Sequence, residues 1–135
     1  MTHLKRIVLS FIILLAIPFA DVFAQDGKAM QENMIMSAVS KFDNGDFDGA
    51  IRMLKVVVEQ DPESDAACYD LALSYFAKQD ADLAEAYLRK AHELDPENFW
   101  YRHRLAVLYT ATKLPELAIG IYEGLLKELR KKSDL

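Results

Sequence analysis

Three stretches of this chain echo one another at a spacing of 34 residues, and that period restricts the fold more than any single motif does. Ala50, Ala84 and Ala118 fall in register, as do Leu54, Leu88 and Tyr122, and as do Ala38, Ala72 and Ala106. Pro62 and Pro96 share the spacing, each preceded by an aspartate. A unit of this length holds one helical hairpin, which cannot bury its apolar face alone and must stack on its neighbours.

The middle unit reads Cys68-x2-Leu71-Ala72-x2-Tyr75, then Ala84-x3-Leu88, then Pro96. This pattern resembles the tetratricopeptide repeat, and the resemblance runs from residue 31 to about residue 130. It departs from the family at several places. The large residue opening each unit is Met34, Cys68 or Arg102, Ser37 and Lys41 replace the usual Leu and Tyr in the first unit, and the last unit has no closing proline. The resemblance implies an all-α, tetratricopeptide-type helical-hairpin solenoid of about six antiparallel helices in a right-handed superhelix. The expected divisions are a short lead at 25–30, repeats at 31–64, 65–98 and 99–130, and a polar tail at 131–135.

Local chemistry points to two helices per unit. Ser64 and Asn98 suit the N-caps of the second and third opening helices, and Asp46 and Asp80 those of second helices. Pro115 fits a first helical turn, and Asp48, Asp82 and Glu116 place negative charge at positive helix ends.

The stretch "DNGDFDGA", 43–50, looks at first like a calcium loop, with Asn44, Asp46 and Asp48 at alternate positions before Gly49. Its closing carboxylate would fall at position 55, which is Lys55. The stretch therefore reads as the turn inside the first repeat, with Gly45 at positive φ and Asp46 capping the next helix.

The recurring alanines let helices approach closely within each pair. Leu54, Leu71, Tyr75, Leu88, Leu105, Tyr109 and Tyr122 are expected to fill the space around them, and Cys68, on the packing side, to be a buried inert thiol.

The N-terminus reads as a secretory signal peptide, residues 1–24. Lys5 and Arg6 precede the apolar "IVLSFIILLAI", and "PFADVFA" sets cleavage between Ala24 and Gln25. An uncleaved membrane anchor is the alternative, but the apolar run from Ile7 to Ala20 is shorter than the roughly 20 residues a span needs. The expected location is the periplasm or beyond. Cleavage would remove Lys5, Arg6 and Asp21 and leave 14 basic against 20 acidic residues, a net charge of −6, which speaks against nucleic acid. One cysteine permits no internal disulfide.

In the family the opening helices line a concave groove. Carried over by register, the partner-binding candidates are Ile35, Val39 and Phe42, then Tyr69, Leu73 and Phe76, then Trp100, His103, Arg104 and Val107. Glu32, Asp43, Ala66 and Thr110 complete the lining. The chaperone-binding branch grips acidic tails with lysine, asparagine and arginine there, and only Arg104 has a counterpart, so that role is disfavoured. An apolar lining suits an amphipathic or extended segment of another envelope protein. For the aromatics, packing against the next helix is the competing explanation.

Enzyme chemistry finds no footing. His92 and His103 fall on different helices, no His-Glu-x-x-His occurs, and no serine or cysteine sits in a nucleophile motif, so no catalytic, metal or cofactor residue is assigned. The expected function is an exported adaptor. The alternative is a self-assembling subunit that dimerises through its last helix pair, where Leu125, Leu126 and Leu129 are expected to be partly open.

Overall fold

A computed structural model describes residues 26–133. The signal peptide with its cleavage position lies outside the described residues, as does the end of the tail at 134–135. The chain divides after Met34 into two compact units. Helical residues 26–34 belong to the first, and residues 35–133 are the described part of the second, which holds the repeats.

The described residues are all-α. Helix α1 spans 26–43, so the expected lead is already helical. It is followed by α2 (Phe47–Gln60), α3 (Asp65–Ala77), α4 (Ala81–Leu94), α5 (Phe99–Ala111) and α6 (Pro115–Ser133). Helix α6 also takes in 131–133 of the expected tail, and its last turn carries Arg130, Lys131 and Lys132, which complement the negative helix end. From α2 onward each helix packs on the next in sequence.

Side chains begin the helices where expected. Asp46 accepts from the Gly49 N–H at 2.8 Å, Ser64 from Ala67 at 3.3 Å, Asp80 from Leu83 at 3.1 Å and Asn98 from Trp100 at 3.1 Å. "DNGDFDGA" is the turn between α1 and α2, with Gly45 at φ +79°.

That turn recurs at the same spacing. Gln79 (φ +64°) and Lys113 (φ +60°) occupy the left-handed position that Gly45 holds in the first repeat. In each turn the left-handed residue donates to a carbonyl three back and the next residue to one five back. The pairs are Gly45 to Phe42 and Asp46 to Lys41, Gln79 to Phe76 and Asp80 to Tyr75, and Lys113 to Thr110 and Leu114 to Tyr109. This is the Schellman pattern, which satisfies carbonyls that a helix end leaves open. Asp46 and Asp80 thus close one helix with the backbone and open the next with the side chain.

The alanines form the floor of the stack. Ala38, Ala50, Ala72, Ala84, Ala106 and Ala118 are all buried, with Leu54, Leu71, Leu88, Leu105 and Tyr109 around them. Tyr75 and Tyr122 are half-buried at the edge of this core. A further register joins it: Val57, Ala91 and Leu125 are all buried on the second helices. Leu125 is 4% exposed, so it is not part of an open end as expected, whereas Leu126 and Leu129 are exposed. The reason is geometric, since Leu125 sits in the inward register of Val57 and Ala91 and the other two leucines do not. Cys68 is buried and free, and burial pushes its thiol pKa up, which makes it a packing residue.

Candidate partner-binding groove

Ile35, Val39 and Phe42 lie on one face of α1, spaced by four and three residues. Two of them, Val39 and Phe42, meet Leu73 of α3 in a cavity of about 140 Å³. Ala38, Asp43, Leu54, Asp70 and Ser74 complete its walls, so α1, α2 and α3 all border it. A narrower crevice between α3 and α5 is lined by Leu73, Phe76, Arg104 and Val107, with Leu88 and Leu108. Leu73 belongs to both. The structure therefore gathers six of the ten expected residues, Val39, Phe42, Leu73, Phe76, Arg104 and Val107, along one line across α1, α3 and α5.

Tyr69 borders that line but is held by packing. Its ring lies 5.0 Å from that of Tyr101, and its hydroxyl accepts a bond from Arg104 Nε at 3.3 Å. Arg104 is thus tied to α3 across the crevice. Ile35 is half-buried a turn before Val39 on α1.

Trp100 and His103 assemble differently. Their rings contact each other and Phe99, and His103 also meets Tyr122 of α6 at 6.2 Å, so this aromatic group joins α5 to α6. Trp100 is 62% exposed. Arg102, close to it in sequence, is drawn into a bidentate pair with Glu128 of α6 at 2.5 and 2.7 Å.

Sequence reasoning missed Asp70. An acid on a helix reads as a solvated side chain, but here it lines the α1–α3 cavity, and burial pushes its pKa up to about 6. The only signal was its position, three residues before Leu73 on the lining face.

A larger hollow on the outer side of α4, among Asp82, Glu85, Ala86, Arg89, Lys90 and Glu93, is bordered mostly by charged side chains. Among the described residues no group of three or more His, Cys, Asp or Glu is placed to hold a metal, and no helix is long and apolar enough to cross a membrane.

Two family profiles, both described as Tetratricopeptide repeat, match residues 35–99 and 75–135 and together span the second unit. No curated protein sequence matches the chain significantly. Several solved structures share the fold. MamA superposes with a TM-score of 0.71 at 19% identity over 78% of this chain and 61% of that one, so the chain spans less than two thirds of MamA. The second repeat domain of Spaghetti (RPAP3), solved with the HSP90 peptide SRMEEVD, gives 0.69 at 20% identity over 76% of this chain and 95% of that one. The Yersinia enterocolitica type III secretion translocator chaperone SycD gives 0.65 at 14% over 67% and 68%.

Proposed function

The chain belongs to the tetratricopeptide repeat family, and from that premise we propose that it is an exported adaptor whose α1–α3–α5 face holds a segment of another envelope protein. The observation that carries this reading is the line of crevices centred on Leu73, apolar along most of its length. An amphipathic helix or extended segment recognises such a line through alternate apolar side chains, and the backbone of a stable stack holds the line fixed.

Spaghetti was solved with a peptide that carries two glutamates and an aspartate. This chain's groove carries acids of its own, Asp43 and Asp70, and the one cation among its described lining residues, Arg104, is engaged by Tyr69. A segment of opposite or neutral character fits it better than an acidic tail. Export rests on the signal-type N-terminus.

Co-purification from cells tests the reading, using the wild-type protein beside Val39→Lys, which sets a cation at an exposed groove position without touching the core. A discrete envelope protein that is retained by wild type and lost from the variant supports it. Equal recovery with both proteins removes the groove from the function, and recovery of the chain in the cytoplasmic fraction removes the export step.

A second reading, self-association through the α5–α6 end, draws on Leu126, Leu129 and Trp100, each more than half exposed. Light scattering on wild type and Leu129→Glu checks it: a dimer abolished by the substitution supports it, and a monomer excludes it. Leu125 is unsuitable as a probe because it is buried.

A further inference from the structure

We propose that the α1–α3 cavity is a specificity pocket for a cationic side chain, a lysine or arginine projecting from the bound segment. The proposal rests on the groove reading above and adds the chemistry of one anchor to it.

The cavity joins two kinds of wall. Val39, Phe42, Leu54 and Leu73 supply apolar surface, while Asp43 on α1 and Asp70 on α3 supply carboxylates. Its volume of about 140 Å³ suits one side chain rather than a helix or a cofactor. A long basic side chain needs that combination, because its methylene stem lies against apolar surface while its head seeks an acceptor.

Among the described residues, the chain supplies no cation of its own to the cavity. None of the lining residues is Lys, Arg or His. The two lysines at the ends of α1 and α3 are engaged elsewhere, Lys41 with Asp46 at 2.9 Å and Lys78 with Asp48 at 2.6 Å. Asp70 is nonetheless half-buried, and desolvation raises its pKa. A carboxylate placed this way costs folding free energy unless a partner charge meets it. An ammonium or guanidinium entering between Asp43 and Asp70 meets that need, and a peptide carboxylate is repelled.

Selection from a displayed random-peptide library against the full-length protein at neutral pH tests the pocket. Enriched peptides are expected to share a Lys or Arg among apolar residues. Resynthesised, the leading peptide should lose about tenfold or more in affinity when that residue becomes norleucine, and a similar factor against Asp70→Asn. Asp43→Asn should weaken it in the same direction and supplies a second reading should the first variant fold poorly. Enrichment of peptides with no basic residue, still abolished by Val39→Lys, overturns the pocket and leaves the groove standing. No enrichment, or binding indifferent to Val39→Lys, which sets a cation where the ligand's own would enter, overturns both.

Discussion

Tyr101 of α5 donates its hydroxyl hydrogen to Asp65 Oδ2 in the first turn of α3, across 2.6 Å and 36 residues of sequence. The bond ties the opening helices of two successive repeats together, on top of the ring contact between Tyr101 and Tyr69. Tyr101→Phe keeps that packing and removes the bond. A loss of about 1 to 2 kcal/mol in urea unfolding is expected, since the acceptor is a carboxylate. An unchanged midpoint would mean that water replaces the hydroxyl without cost.

The three left-handed turn positions offer a second test. Only the first is glycine, and non-glycine residues pay about 1 kcal/mol or more for that conformation. Gln79→Gly and Lys113→Gly should each stabilise the fold by about 0.5 to 1 kcal/mol, and Gly45→Ala should destabilise it by a similar amount. Thermal melts of the three variants check the signs together, and stabilisation by Gly45→Ala would contradict the assigned geometry.

Close approach in the middle hairpin depends on Ala84, which is fully buried beside Ala72. Ala84→Leu should overpack it and cost about 1 to 3 kcal/mol. A melt identical to wild type would remove the alanine register as the basis of packing.

Asp70 makes stability depend on pH. Its folded pKa of about 6 lies above the ordinary value of 3.8, so the folded state holds the proton more tightly than the unfolded chain does. This group's contribution is therefore most favourable below pH about 4, falls as pH rises toward 6, and is least favourable from there upward. Asp70→Asn should remove that slope and stabilise the protein at pH 7.5 by about 1 to 3 kcal/mol, with little effect at pH 4. Urea unfolding of both proteins at the two pH values measures it. A variant less stable than wild type at pH 7.5 would show that the ionised carboxylate has a partner within the fold.

Much of the architecture was legible because repetition amplifies weak signals: three alanines in register mean more than one, and Asp46, Ser64, Asp80 and Asn98 announce their helices through cap chemistry. The register of Val57, Ala91 and Leu125 escaped notice because its members share burial and not residue type. The groove was legible in part for the same reason. A repeat alignment assigns each residue to a face, which served for Val39, Leu73 and Val107. It says nothing of which neighbour a ring turns to, and His103 turns to Tyr122 of α6. Asp70's place on the lining face could be read from its spacing to Leu73, but not its burial, because residues of α1 and α2 line the same cavity and a pattern along one helix does not contain that.

The most direct test of the account is in-cell photo-crosslinking from Val39 and Phe76, on two successive opening helices, with Glu93 on the exposed side of α4 as the control. The account predicts one shared protein adduct from both groove positions, none from Glu93, and its loss from the Phe76 position when Val39→Lys is present. The same adduct from Glu93, or self-adducts alone from the groove, would contradict it.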